Sequence, residues 1–348
     1  MVAESTRIPA DELSAFVVEV LAAVDVPRDD AAIVADCLLT ANLSGIDSHG
    51  VVRLAHYVTR LKNGTIRAQP ELRFERHAPS MGIMDGGDGL GHVVTYHACT
   101  HAMQLAEESG SGIVSVRNSS HFGMTGFYIL RLVSAGYAAM MMTDTDAFQI
   151  PFGARAPFFG TNPIAFGFPT DGIPVILDMA TTSIPYGKIA LAQTEGREIP
   201  ADWGFDAEGK PTTDPNAIAG MHPIAGPKGS GLAMVIDILC SVLSGMPWGP
   251  HINAMYGELD APRKLGHFIA VYDVKRLMPL ETFKRRLGEM LSEFGNLPPA
   301  EGFECVYYPG QIEGLRRERR SVEGIPIDPG LYEELTGLGE RFDVPFPG

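Results

Sequence analysis

The hydrophobic period of this chain changes once, near residue 73, and that change limits the folds open to it. Before that point, apolar residues recur at helical spacing. "PADELSAFVVEVLAAVDV" follows Pro9, and "RDDAAIVADCLLTANLSG" carries acids in its first turn and Gly45 near its end. "VVRLAHYVTRLKNG", residues 51–64, reads as a third helix closed by Asn63 and Gly64. Beyond residue 73, short β-like runs bounded by glycine take over: "SMGIMDGGDGLGH", "SGIVSVRNS" and "AAMMMTDT". Helical stretches such as "VTYHACTHAMQLAEE" lie between them. Residues 151–182 are rich in Gly, Pro and aromatics, and "IPVILDMA" within them reads as a buried strand. "KGSGLAMVIDILCSVLSG" and "LETFKRRLGEMLSEFG" return to helix, the second clearly amphipathic. The expected fold class is α/β: a mixed-sheet domain over 73–314 interlocked with a helical domain over 1–72, which the C-terminal stretch 315–348 joins. At 348 residues the chain exceeds one small core and suits two such domains.

The formal net charge is −15. Such a surface repels nucleic acid and anionic membranes, so neither is expected as a partner. It leaves room for a small anion, because a few buried arginines and lysines set a local positive field inside an acidic protein. Cys37, Cys99, Cys240 and Cys305 are far apart and form no CxxC pair. They read as buried reduced thiols of a cytoplasmic protein, with no disulfide framework and no metal site. "MVAESTRIPADEL" lacks a signal-peptide pattern, and no apolar run approaches a membrane span. No GxGxxG follows a strand: "GGDGLGH" and "GPKGSGL" have the wrong spacing, and a Walker A sequence is absent. HExxH and GxSxG are absent as well.

Three clusters carry the chemistry that remains. "GIDSHGVVRL" sets Ser48, His49 and Arg53 within six positions, and Arg53 and Tyr57 are four apart on one helical face. The alternative is structural: Ser48 or Asp47 caps the helix and His49 merely opens it. "NSSHFGMTG" puts His121 just beyond the β-run "GIVSV", in a glycine-containing turn where ligand-facing residues tend to sit. Alone, a histidine such as His121 is more often a hydrogen-bonded structural residue. "GPKGSG" brings Lys228 to a helix start, where backbone N–H groups and an ammonium suit a phosphate or carboxylate. An exposed lysine in a turn is the plain alternative.

Together with "PFGARAPFFGTNPIAFGFP", "LDMATT" and "VYYPGQ", these motifs resemble the malate/L-lactate dehydrogenase family of non-Rossmann NAD(P) oxidoreductases, from about residue 10 to 330. Within the family, residues 203–263 and "EGFECVYYPGQ" are most similar to the ureidoglycolate dehydrogenases, whereas "SHFGM" follows the commoner family pattern in place of their "SHSGA". The resemblance implies hydride transfer between a nicotinamide cofactor, NAD with NADP as the alternative, and a small 2-hydroxy or 2-oxo acid. It implies a homodimer with the site in a cleft between domains. The cofactor positions it implies are Thr145, Asp178, Met179, Ala180, Lys228, Gly310 and Gln311.

The residues fit that chemistry. Oxidising an alcohol by hydride transfer requires a base for the hydroxyl proton, and His49 and His121 both match family positions near the substrate. A 2-carboxylate calls for a planar, bidentate cation, which is Arg53, with Ser48 and Tyr57 as supporting hydrogen-bonders. A substrate with a second anionic group would need a second cation, for which Arg155, Lys188 and Arg197 stand outside the motifs. Two other classes use the same parts: a cofactor-free lyase or hydratase, and a small-acid binding protein that would keep Arg53 but need no second histidine.

Overall fold

The computed structural model of the protein describes residues 5–348, the side chains of residues 190, 191 and 194 excepted. The first four residues of the expected helical domain therefore lie outside the described residues. Strand β1 (Thr6–Ile8) leads into α1 (Ala10–Ala22) and α2 (Arg28–Leu43). Each helix starts after a proline and carries two acids in its first turn, which suits the positive end of the helix dipole. A 3₁₀ passage over residues 47–53 precedes α3 (Leu54–Lys62), so the third helix begins three residues later than its apolar pattern.

The second texture builds β2 (Arg73–Ala78), β3 (Met81–Asp85), α4 (Gly91–Ser109), β4 (Ser111–Ser119), α5 (Thr125–Ser134), β5 (Tyr137–Thr143), β6 (Ile164–Phe168) and β7 (Val175–Met179). Then come α6 (Tyr186–Glu195), a small hairpin of β8 (Gly204–Phe205) and β9 (Gly220–Met221), and α7 (Pro227–Asp237), which continues as a π-type turn over Ile238–Val242. The chain closes with β10 (Leu265–Asp273), α8 (Leu280–Gly295), α9 (Gln311–Glu323), β11 (Ile325–Ile327) and α10 (Pro329–Glu340).

Seven strands form one mixed sheet in the order β2-β3-β4-β10-β5-β6-β7, with β3–β4 parallel and the other pairs antiparallel. The centre of this sheet is β10, whose Leu265–Val271 run is buried throughout. Helices α4 and α5 cover one face, where Ala102, Leu105, Ile129 and Leu132 meet Val114, Met141 and Ile269. On the other face Ile236 and Cys240 of the α7 segment meet Met142 and Phe268. The helical core is separate. Leu13, Val17, Leu38, Leu54 and Tyr57 pack there with Ile325, Ile327, Leu335 and Leu338 from the far end of the chain. β1 and β11 pair antiparallel, Thr6 opposite Ile327 and Ile8 opposite Ile325.

Two expectations need correction, on the burial of one strand and of one cysteine. "IPVILDMA" is a strand, but β7 lies at the sheet edge and is half-buried, with Leu177 exposed. It is apolar because one edge pairs with β6 and its side chains border a cavity. The amphipathic α8 forms as expected, yet none of its residues is buried. Cys37, Cys99 and Cys240 are buried, whereas Cys305 is exposed. No helix among the described residues is long and apolar enough to cross a membrane.

Candidate active site

The 47–53 passage is shaped from α2. The buried Asn42 donates from Nδ2 to Asp47 Oδ1 at 2.7 Å and accepts at Oδ1 from the Val51 N–H at 2.9 Å. Arg320 of α9 pairs with Asp47 at 2.8 Å. A Cβ on Gly50 would lie 2.1 Å from Asn42 Oδ1, so only glycine lets the chain pass this close. No side chain caps α3, and the Asp47 carboxylate is engaged by Asn42 and Arg320. The capping alternative for Asp47 and Ser48 is thereby overturned.

That passage sets His49 beside His121, which follows β4. Their rings stack with centroids 5.9 Å apart and an interplanar angle of 27°. Each ring is held through Nδ1. Ser48 Oγ lies 3.0 Å from His49 Nδ1, and Tyr57 Oη lies 2.7 Å from His121 Nδ1. The Gly123 N–H also approaches His121 Nδ1, at 3.4 Å. Neither Nε2 has a hydrogen-bond partner among the described residues, so both rings present that nitrogen to a ligand. Tyr57 is fully buried, and burial holds its hydroxyl well above the usual phenol range, so it keeps its proton. Arg53 donates from Nε to the Ser48 carbonyl at 2.7 Å, and its Cζ stands 5.6 Å from the Tyr256 ring centroid. Its two terminal nitrogens make no hydrogen bond to the described residues.

Burial, then the positive charge of Arg53, pulls His49 down to about 4. His121 is pulled well below the usual histidine range by burial, then by His49 and Arg53. Both rings are neutral at pH 7. Two neutral imidazoles with outward Nε2 atoms, beside a guanidinium with an open end, suit an anionic molecule that gains or loses a proton.

A cavity of about 370 Å³ adjoins this cluster. Ser44 and Ile46, just before Ser48, line it, and so do Met124 and Gly126, just after His121. Across it stand Asp178 at the end of β7 and Tyr308 and Gly310 ahead of α9. Asp178 Oδ2 accepts from the Gly126 N–H at 2.7 Å, while Oδ1 has no hydrogen bond to the described residues. Burial lifts this carboxyl to about 6. Gly310 has φ +87°, and a Cβ there would lie 2.8 Å from the Ile176 nitrogen, so the backbone lies flat against the wall.

The matching family profile is that of the malate/L-lactate dehydrogenases, and it spans residues 8–336. The chain belongs to that family. It is 37% identical to a malate dehydrogenase of Pyrococcus abyssi over 97% of this chain and 95% of the relative. It is 35% identical to the NAD(+) ureidoglycolate dehydrogenase of Escherichia coli strain K12, over 94% and 95%. The solved structure of sulfolactate dehydrogenase from Methanocaldococcus jannaschii superimposes with a TM-score of 0.91 at 34% identity, covering 98% of both chains. Three differently named dehydrogenases at such similar identity select no substrate among them. The seven-stranded sheet and the helices on it are thus those of a malate/L-lactate dehydrogenase, the non-Rossmann fold that the motifs imply.

Ser48, His49, Arg53, Tyr57 and His121 therefore come together in this family member, and Asp178 and Gly310 share the adjoining cavity. Thr145, Met179, Ala180, Lys228 and Gln311 do not line that cavity. Thr145 Oγ1 accepts from the Thr161 N–H at 2.8 Å, Thr161 O accepts from Thr181 N–H, and Thr181 O accepts from Ile224 N–H. This ladder connects the end of β5, the end of β7 and the loop before α7. Lys228 is exposed in the first turn of α7, with no ion pair among the described residues. Gln311 opens α9 and accepts at Oε1 from the Tyr308 N–H at 3.2 Å.

Arg155, Lys188 and Arg197 are all exposed, and Arg197 pairs with Glu195 at 2.5 Å. Sequence reasoning missed Asn42, Arg60, Tyr256 and Arg263. Only Arg60 carried a signal, standing three residues after Tyr57 and seven after Arg53 on the same helical face.

Proposed function

We propose that the protein is an NAD(P)-linked dehydrogenase of small 2-hydroxy acids. The observation that carries this is the pairing of two Nδ1-anchored histidines with the open guanidinium of Arg53, beside a cavity walled by the residues flanking both histidine motifs. Arg53 takes the 2-carboxylate in a bidentate contact, and Ser48 and Tyr57 fix the rings. His49 and His121 stabilise and exchange the proton of the 2-hydroxyl at Nε2. Because the rings lie close together, they titrate as a pair. Bound NAD(P) supplies the hydride acceptor or donor. Nothing in the site favours a cofactor-free lyase or a binding protein: either would leave the cavity beside His121 without a role.

The residues of that cavity fit a nucleotide. Asp178 Oδ1 is available to a ribose hydroxyl, and Gly310 and Gly126 let backbone approach closely. Asp178 and Glu313 oppose one cation, Arg317, in the lining, which supports NAD over the more anionic NADP. The test is absorbance at the nicotinamide band with NAD and with NADP against a panel of 2-hydroxy acids. No change with any acid and either nucleotide refutes the reading.

Thr145, Met179, Ala180 and Gln311 hold the cofactor through the loop ladder, and Lys228 meets a phosphate from the start of α7. Lys228→Ala is expected to raise the KM of the nucleotide more than that of the acid. A shift in the acid's KM alone would assign Lys228 to the substrate.

The working unit is a homodimer in the cytoplasm. Met234, Val235, Ile238, Val242 and Leu243 form an exposed apolar stripe along α7 and its π-type extension, a face that a second copy would cover. Light scattering at micromolar concentration is expected to report a dimer; a mass of 37.5 kDa would count against it.

A further inference from the structure

A third histidine, outside the proton-exchange pair, touches segments on both sides of the site. His267 is fully buried and is the only polar side chain in the buried Leu265–Val271 run of β10, the central strand. It stands opposite Val116 of β4 on one side and Thr143 of β5 on the other. An imidazole in such a place is costly unless both nitrogens are paired. Here both are: Nε2 lies 2.8 Å from Ser119 Oγ, and Nδ1 lies 2.7 Å from Thr143 Oγ1. Burial pulls His267 down to about 3, so the ring is neutral and carries a single N–H. Thr143 Oγ1 also has the carbonyls of Asp144 and Gly266 at 3.1 and 3.3 Å, and a carbonyl only accepts. The threonine proton goes to one of them, so Thr143 Oγ1 accepts from Nδ1–H. Nε2 is then the acceptor and takes the proton of Ser119. The hydrogen bonds run one way across three strands, from Ser119 through His267 and Thr143 to a backbone carbonyl.

Each end of this chain leads into the site. Ser119 stands two residues before His121. Phe122, directly after His121, stacks on the His267 ring, with centroids 4.6 Å apart and an interplanar angle of 9°. His267 therefore holds the turn on both sides of His121. The Tyr128 hydroxyl donates to Phe122 O at 2.6 Å and closes the turn from α5. At the other end, Thr143 stands two residues before Thr145. Asp144 between them accepts from the Ser241 hydroxyl, and from the Gly266 N–H at 3.2 Å. Asp146, directly after Thr145, pairs with the buried Arg263 at 2.5 Å. Arg60 of α3 holds the loop ahead of Arg263 through the carbonyls of Ala254 and Ala261, both at 3.0 Å. The end of β5 is thus fixed residue by residue, and His267 is the link that joins it to the His121 turn.

We infer that His267 is a positioning residue of the dehydrogenase, which sets the His121 turn and the Thr145 end of β5 in one fixed geometry. It touches neither substrate nor nucleotide. Its effect comes from alignment: the ring that exchanges the proton and the segment that holds the nucleotide must serve the same substrate carbon, and a misplacement of about 1 Å costs about 100-fold in rate. One side chain bonded to both segments removes their independent motion. This assignment rests on the dehydrogenase reading.

The link is tested first without acid or nucleotide, by amide hydrogen exchange of the wild-type protein and His267→Leu. Protection is expected to fall about 10-fold at both 117–124 and 143–147, with α1–α3 unchanged. Loosening of one segment alone, of neither, or of the whole chain equally overturns the assignment. The second measurement is a single turnover of a 2-hydroxy acid at saturation, followed at the nicotinamide band. Its amplitude counts intact sites, and its rate constant reports their alignment. His267→Leu should keep the amplitude and lose about 100-fold in rate constant. His267→Gln, whose amide offers a donor and an acceptor to the same two hydroxyls, should recover to within about 10-fold of wild type. A smaller amplitude with an unchanged rate constant marks a purely structural residue and overturns the assignment. If the leucine variant does not fold, Ser119→Ala and Thr143→Val each cut one end of the chain, and an unchanged rate constant in both overturns it as well. A wild-type enzyme inactive on every acid with both nucleotides overturns the dehydrogenase reading, and this assignment with it.

Discussion

Arg53→Ala is expected to lower kcat/KM for the 2-hydroxy acid about 100-fold or more, because losing a bidentate charge-assisted contact costs about 3 kcal/mol. Nucleotide affinity should move little, since Arg53 is absent from the lining of the cavity that contains Asp178 and Gly310. Thermal stability should also change little, because the guanidinium makes one hydrogen bond, to Ser48 O, and otherwise stands against Tyr256. The measurements are steady-state kinetics with both substrates varied and a melting curve. Near-normal kcat/KM in a folded Arg53→Ala protein would remove the carboxylate contact from the site. Arg53→Lys should recover only part of the loss, because an ammonium cannot reproduce the planar pair of donors.

His49→Ala and His121→Ala should each reduce turnover about 100-fold or more, the range for a lost general acid–base group. Their pH profiles differ in an informative way. Oxidation needs a neutral ring, so its rate falls as pH drops through the histidine pKa. For His49 that value is about 4, and His121 is also pulled well below the usual range. The acidic limb of kcat/KM for oxidation should therefore lie near pH 4, well below the ordinary histidine value of about 6.5. The ring that exchanges the proton is the one whose alanine variant loses this limb. A limb that survives in both variants would place proton exchange elsewhere. The same depressed values act on stability. Below about pH 6.5 the unfolded chain takes up protons that the native rings refuse, so stability held above that pH is lost as pH falls toward 4. Each acidic rate needs a melting curve beside it.

Much of this site is legible in the sequence because its chemistry is concentrated in short segments. Ser48, His49 and Arg53 lie within six residues, and Tyr57 follows at helical spacing. The "NSSHFG" turn announces itself through its position after an apolar β-run. The helices of the first 62 residues follow from periodicity alone, since one face of each is buried. Other features are written across distance. Arg263 lies in an aperiodic loop, and its place depends on Arg60 gripping carbonyls about 200 positions away in sequence. Asn42 sits in the last turn of α2, and nothing local indicates that its amide organises the turn around Gly50. The edge position of β7 was hidden because an apolar strand beside a cavity reads like one inside a sheet. Helix α8 follows its amphipathic pattern, with Phe283, Leu287 and Leu291 half-buried on its apolar face.

The pairing of β1 with β11 has a consequence for how the protein is made. Residues 6–8 are synthesised more than three hundred residues before their partners at 325–327. The core that supports Tyr57 also takes Leu335 and Leu338 from α10. The core shared by helices α1–α3 is therefore completed only after the whole seven-stranded sheet has been synthesised. Contacts of such long sequence separation form slowly, because loop closure must precede their reward. A nascent chain stalled before residue 325 would lack the strand and helix that close this core and would expose apolar surface to chaperones and proteases.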